Sequence, residues 1–280
     1  MRVRRGLGVA LVAVVALLGA CSSEDAADDT TTTESEQSTT TTAEVLRVLV
    51  SNDDGYDAPG IDAVVRALEE LPDTEVVVVA PAENQSGSGS NTTDGELEVT
   101  EVETLGGHPA TAVAGFPADA VNWALDGGID FTPDVVITGV NSGQNLGAIG
   151  DELSGTVGGA RAAAANDIPA LASSTALEAE EDPEAFDLAA TYVVNWIEEH
   201  RAELVAGELS GETLLLQNLN VPVCADGGIR GLEEVPMSAE TDGAIAEQDC
   251  TSTLEDPPDD IVAFNNGFAT VSDLTLEAAA

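Results

Sequence analysis

The sequence contains no lysine, and its eight arginines face 52 acidic residues, giving a formal net charge of −44 over 280 residues. Duplex nucleic acid is a poor partner for such a chain, because affinity there comes from neutralising phosphates with Lys and Arg. An anionic membrane surface is disfavoured for the same reason. Aromatic residues make up 3%, too few for a platform on which single strands stack. The only two histidines, His108 and His200, are far apart, so the ligand set of a zinc hydrolase is missing. His108 lies in the turn sequence Gly106-Gly107-His108-Pro109, and His200 is expected at a helix end, where its cationic form would complement the dipole. The Gly-rich run from Gly139 to Gly147 has no lysine beside it, which excludes an NTPase P-loop. A mean hydropathy of +0.06 excludes a multi-span membrane protein. What is present is 43% apolar residues, enough to build the core of one large domain or two small ones.

The first residues read as an address. Arg2, Arg4 and Arg5 form a positive n-region, and Leu7 to Ala20 an apolar stretch of signal-peptide length. The stretch ends Leu18-Gly19-Ala20-Cys21, which resembles a bacterial lipobox, with an ordinary secretory signal as the alternative. Residues 1–21 are therefore expected to be a lipoprotein signal peptide, with Cys21 as the lipidated residue. The mature chain would be exported and anchored to the outer face of the cell membrane, touching the bilayer only through its lipid. Residues 22–44 are rich in Ser, Thr, Asp and Glu and read as a disordered tether. Export implies an oxidising compartment. Cys224 and Cys250 then remain as an even pair, expected to form a disulfide. A thiol nucleophile or metal-ligand role is the alternative, and neither cysteine has a histidine near it in sequence.

From residue 45 the pattern is doubly wound. Val45 to Val50 is a continuous apolar run of buried-strand length, and Ile61, Val64, Val65 and Leu68 follow at helical spacing behind Pro59 and Gly60. Further strands are predicted at Val76–Val79, Asp134–Thr138, Pro169–Ala172 and Leu214–Leu216. Asp187 to His200 reads as an amphipathic helix with Leu188, Tyr192 and Trp196 toward the core and Ile197 beside them. Strands alternating with helices imply a Rossmann-like three-layer α/β/α fold with a mainly parallel sheet. Residues 223–260 are rich in Gly, Pro, Asp and Glu and read as an excursion from that core. Trp123 and Trp196 read as core residues, and Arg161 as an exposed helix position.

The polar clusters follow the strands, and in open α/β sheets ligands bind beyond the strands' carboxyl ends. Ser51-Asn52-Asp53-Asp54-Gly55 follows the first strand, and Pro81-Ala82-Glu83-Asn84-Gln85-Ser86-Gly87 the second. Gly139-Val140-Asn141-Ser142-Gly143-Gln144-Asn145-Leu146-Gly147 follows the third, with Ser154-Gly155-Thr156 beyond it. Adjacent carboxylates repel unless a cation sits between them, and oxygen ligands suit Mg²⁺, Mn²⁺ or Ca²⁺. Taken alone, Asp53-Asp54-Gly55 is equally well a solvated turn. Ser154-Gly155-Thr156 precedes a helical stretch, Val157 to Ala165, and reads as an anion cradle or as plain N-capping.

Together these segments resemble the SurE (survival protein) nucleotidases. The resemblance rests on Ser51 to Gly55 with Ala58-Pro59-Gly60-Ile61, on Gly139 to Gly147, and on Ser154-Gly155-Thr156-Val157. It continues through Gly115-Phe116-Pro117-Ala118-Asp119, Ile168 to Ala172, Asn218-Leu219-Asn220-Val221-Pro222 and Asn266 to Ser272. It thus spans residues 45 to 275 of a domain taken as 45–280. The resemblance implies a metal-dependent phosphatase acting on nucleoside 5′- and 3′-monophosphates. One divalent cation per subunit, Mg²⁺ or Mn²⁺ with Ca²⁺ as a further candidate, would be held by Asp53, Asp54, Ser86 and Asn141. Asp53, Asp54 and Asn141 would be catalytic, and Asn145, Ser154, Gly155 and Thr156 would take the phosphate. A homodimer or tetramer is implied as well. Two positions depart from the family's usual residues: Ala82 where Asp is common, and Leu153 where an aromatic is often seen. A non-catalytic nucleotide- or phosphate-binding lipoprotein is the alternative reading, and an acidic scaffold a third.

Overall fold

The computed structural model describes residues 44–177, 179 and 183–277. The predicted signal peptide, Cys21 and the tether as far as residue 43 lie outside the described residues.

Among the described residues nine strands form one mixed sheet in a Rossmann-like α/β fold. In chain order they are β1 (Leu46–Ser51), β2 (Thr74–Pro81), β3 (Val99–Glu103), β4 (Pro109–Val113) and β5 (Val135–Ser142), then β6 (Ala170–Thr175), β7 (Leu216–Val221), β8 (Leu232–Glu234) and β9 (Ala269–Asp273). The spatial order is β3-β4-β2-β1-β5-β6-β7-β9-β8. From β4 through β7 all neighbours run parallel, while β3 with β4 and β9 with β7 pair antiparallel. Leu46, Val48, Leu49 and Val50 are all buried, as a strand covered on both faces requires.

Helices cover both faces. On one side α1 (Pro59–Glu69) and α5 (Pro183–Ala206) bury Ile61, Val64, Leu68, Phe186, Val193 and Ile197 against the sheet. Pro59 opens α1, where its missing N–H costs nothing. On the other side α2 (Pro117–Trp123) and α4 (Gly155–Ala165) bury Val121, Val157, Ala160 and Ala163. The short helices α3 (Gly147–Leu153) and α6 (Asp260–Asn265) belong to a third apolar cluster with Leu146, Ile261 and Phe264. Asp260 ties them together: its buried carboxylate accepts the backbone N–H groups of Gly147, Ser238 and Ile261, each at 2.8 Å.

Four side chains sit otherwise than their spacing suggests. Leu188 is 44% exposed, and the buried stripe of α5 runs instead through Phe186, Ala189, Val193, Trp196, Ile197 and Leu204. The helix begins at Pro183, and its packing against α1 and the sheet selects the stripe through Ala189 rather than the one through Leu188. It also runs on to Ala206, which places His200 inside the helix, its Nδ1 2.8 Å from the Trp196 carbonyl oxygen. Arg161 is 6% exposed, and its guanidinium donates to the Asp151 carbonyl and carboxylate and to the Thr275 carbonyl. A lone basic residue in an alanine-rich helix looks exposed in sequence; here a buried acid on the neighbouring helix draws it inward. Trp123 is only partly buried against the core, whereas Trp196 is buried and donates its Nε1–H to Gln217.

The stretch from 223 to 260 carries one short strand and otherwise irregular chain. Cys224 and Cys250 are disulfide-bonded across it, with Cα atoms 5.7 Å apart and a sequence separation of 26. Closing a loop of this length stabilises by about 2–4 kcal/mol, mainly through the unfolded chain. The double substitution Cys224→Ser/Cys250→Ser should lower stability by about that amount and leave the far-UV spectrum of the core unchanged. Two freely alkylated thiols in the non-reduced parent would contradict the bond.

Candidate functional site

The chain moves from β1 outward to β2 and β4 on one side, then returns to β5 and proceeds through β6 and β7 on the other. β1 and β5 therefore flank the point where the strand order reverses, the place where such sheets hold ligands. Asp53 and Asp54 leave the end of β1 there, and Asn141 and Ser142 close β5 beside them. A register shift between Thr138 and Asn141, with Gly139 at φ 125° and a cis Gly139–Val140 peptide, interrupts β5 just before Asn141. Such irregularities re-aim the next side chains. Only glycine fits at 139, since a Cβ would lie 2.1 Å from the Ser173 carbonyl oxygen.

The aspartate turn is tightly held. Asn52 closes it, its Nδ2 donating to the Gly55 carbonyl at 2.8 Å and its Oδ1 accepting the Gly55 N–H at 3.2 Å. Asp53 is buried, and its Oδ1 accepts the Thr156 hydroxyl at 2.7 Å. Burial, and after it the adjacent charge of Asp54, push the Asp53 carboxyl up to about 6, while the Thr156 hydroxyl pulls the other way. Asp54 accepts the Asn84 amide on Oδ1 and the Ser142 N–H on Oδ2, both at 3.0 Å. A solvated turn does not bury one of its carboxylates in this manner, so the turn reading of Asp53-Asp54-Gly55 does not describe this segment.

The loop after β2 joins the site through Gln85, whose N–H donates to the Asp53 carbonyl at 2.6 Å. Ser86 is exposed on that loop, its N–H on Asn84 Oδ1 at 3.0 Å, and so is linked to the pair through Asn84. Asn141 is buried and donates its Nδ2 to the Gly143 carbonyl, which leaves its carbonyl oxygen as the end able to ligate a cation.

Ser154 and Thr156 divide the two readings of their motif between them. The Ser154 side chain caps α4, accepting the Val157 N–H at 3.1 Å. Thr156 turns inward to Asp53 and also accepts Asn145 Nδ2 at 3.3 Å. Gly155 presses directly on Asp53: a Cβ there would lie 2.8 Å from the Asp53 Cβ. Asn145 is held from behind by β7, where Asn218 and Asn220 donate to its carbonyl and Asn220 accepts its N–H. Asn84, Asn218 and Asn220 are thus part of the arrangement although only their neighbours' chemistry drew attention in the sequence. For Asn218 and Asn220 the signal was the repeated amide on one strand, since alternate residues of a strand share a face.

The described arginines bind other groups. Among the described residues the Arg47 guanidinium is on Glu75, Arg66 on Asp62 and Asp187, and Arg161 on Asp151. Arg201 binds carbonyls of Pro72 and Asp73, and Arg230 those of Leu254 and Asn266. Among the described residues there is also no group of three or more His, Cys, Asp or Glu placed to hold a metal ion. A cation at the aspartate pair would therefore complete its shell with neutral oxygens, an arrangement that suits Mg²⁺ or Mn²⁺ better than zinc.

Comparison with known proteins agrees with this geometry. The family model described as survival protein SurE matches residues 48–242. A protein of Stenotrophomonas maltophilia named 5′-nucleotidase SurE is 37% identical over 209 residues, covering 73% of this chain and 75% of its own. One of the same name from Xanthomonas campestris pv. campestris is 39% identical over 191 residues, covering 67% of this chain and 68% of its own. The crystal structure of the SurE protein from Aquifex aeolicus superposes with a TM-score of 0.62 at 27% identity, over 83% of this chain and 94% of that one. A pair of aspartates at the switch point, with the family's sequence pattern running through every loop that meets there, places this chain in the SurE family.

Proposed function

We propose that the protein is a divalent-cation-dependent phosphatase that hydrolyses nucleoside 5′- and 3′-monophosphates to nucleoside and phosphate. The observation that carries this reading is the Asp53–Asp54 pair at the switch point, with Asp53 buried against the Thr156 hydroxyl and Asp54 held by the Asn84 amide and the Ser142 N–H. Two adjacent carboxylates bring negative charge together, and a substrate phosphate would add more. Relatives named 5′-nucleotidase give the reading its substrate class.

Asp53, Asp54, the Ser86 hydroxyl and the Asn141 carbonyl oxygen would hold one Mg²⁺ or Mn²⁺. When bound, that ion supplies Lewis-acid chemistry, neutralising phosphoryl oxygens and acidifying water. The protein's own part is positioning. The first N–H groups of α4, at Gly155 and Thr156, lie at the end of a helix where an anion is favoured. The Ser154 cap fixes that end, and Asn145 orients Thr156. The remote amides Asn218 and Asn220 hold the Asn145 backbone in place. Asp54, gripped by Asn84 and the Ser142 N–H, is the carboxylate whose orientation is set from two loops at once.

Phosphate release from a panel of nucleoside monophosphates, with and without Mn²⁺ or Mg²⁺, tests the activity. Asp54→Asn keeps the shape and one ligand oxygen and removes a charge. It should cut kcat by at least about a hundredfold, some 2.7 kcal/mol of transition-state stabilisation. A parent without cation-stimulated release, or a variant with full activity, would remove the assignment.

We further propose that the enzyme acts outside the cell as a lipid-anchored homodimer or tetramer, the anchor resting on the Leu18-Gly19-Ala20-Cys21 sequence. Cys21→Ser should move the folded protein from the membrane fraction to the medium. Unchanged membrane association of that variant would contradict the anchor.

A further inference from the structure

A hydroxyl withdrawn from water without a hydrogen-bond partner destabilises a fold, and proteins retain few of them. Ser88 Oγ is such an atom: it is buried and has no partner. Its position is not a matter of a loose loop. The Ser88 N–H donates to the Gln85 carbonyl at 3.2 Å, the Ser88 carbonyl accepts the Asn91 N–H at 3.2 Å, and the next residue, Gly89, donates to the Leu153 carbonyl at 2.9 Å. The loop is therefore fastened on both sides of Ser88, to itself and to the end of α3. The hydroxyl it presents lies against the start of α4. A Cβ placed on Gly155 would be 2.8 Å from Ser88 Oγ and 2.9 Å from Asp53 Oδ2. Ser88 Oγ and an Asp53 oxygen thus flank the first residue of α4.

We propose that the Ser88 hydroxyl is a substrate contact, donating its hydrogen to a phosphate oxygen held at the start of α4. This rests on the phosphatase reading above. Three features of the site select an anion as the missing partner. The first turn of a helix presents N–H groups that have no intrahelical acceptor. The described arginines are engaged elsewhere, so among the described residues phosphate charge at this site is left to a cation and to neutral donors. A hydroxyl is one of the few neutral donors a side chain can offer, and hydrogen bonds to ionised acceptors are about twice as strong as neutral ones. The sequence gives Ser88 no prominence, since it lies two residues beyond Ser86 in a run of Ser and Gly.

Ser88→Ala tests this with readouts that separate binding from structure and from cation ligation. Removal of an orphan hydroxyl should leave the melting temperature of the ligand-free, cation-free protein unchanged or raised. Inhibition by inorganic phosphate should weaken about tenfold, and KM for a nucleoside monophosphate should rise by a similar factor with kcat little altered, since the contact is made in ground and transition states alike. The thermal shift produced by Mn²⁺ alone should match that of the parent. A lower melting temperature for the ligand-free variant would show that the hydroxyl has a structural partner. A lost Mn²⁺ shift would make it a cation ligand, and unchanged inhibition by phosphate would show no contact; each of these overturns the proposal. If the parent releases no phosphate from any nucleotide, the phosphatase reading fails by itself. The proposal is then still decided by whether the melting-temperature rise caused by inorganic phosphate in the parent is smaller in Ser88→Ala.

Discussion

The contact between the Thr156 hydroxyl and the Asp53 carboxylate joins the two halves of the sheet at the candidate site. Asp53 belongs to the end of β1 and Thr156 to the first turn of α4, 103 residues later. Every other element of the site reaches this contact or its neighbours. Asn145 donates to the same Thr156 oxygen, and Asn218 and Asn220 fix Asn145 from β7. Gln85 fixes the Asp53 backbone from the β2 side. A buried carboxylate is costly unless hydrogen-bonded and compensated, and burial together with the neighbouring Asp54 charge outweighs the hydrogen bonds that Asp53 receives. The crowding of two carboxylates at the sheet edge is what gives the site its affinity for a cation in our proposal.

The composition makes the same demand on a larger scale. A chain with a formal charge of −44 and no lysine repels an anionic substrate at long range. Its five described arginines act structurally: Arg161 joins α4 to Asp151 and the chain near Thr275, Arg201 holds the turn before β2, and Arg230 stacks over Phe268. In the proposed function, capture of phosphate falls to a bound cation, a helix start and hydroxyls, which are local and short-ranged. This division explains why no basic motif marks the site in the sequence.

The central strands were legible because parallel strands covered on both faces read as unbroken apolar runs, as Val48 to Val50 and Val76 to Val79 do. The strands β3 and β4 escaped notice because Val99–Glu103 is an edge strand with three exposed acidic or polar positions, and Pro109–Val113 is short and proline-led. β8 is three residues long with one partly buried side chain, and no pattern distinguishes it from the surrounding excursion. At the site, Asp53, Asp54, Asn141 and the Ser154–Thr156 turn stood out as polar groups at strand ends. Ser154 and Thr156 could not be told apart there, because capping and carboxylate contact both call for a hydroxyl; only the direction of each side chain separates them. Arg161 and Leu188 were misplaced for a related reason: helical phase fixes which residues share a face, while the partner across that face decides which one is buried.

The most direct test is calorimetric titration of Mn²⁺ into the cation-free protein at physiological salt, where diffuse attraction to the acidic surface is screened. The account predicts one saturable site per chain, separate from weak surface binding, and at least a tenfold loss of its affinity in Asp53→Asn. Absence of a saturable site, or equal affinity in parent and variant, would contradict it.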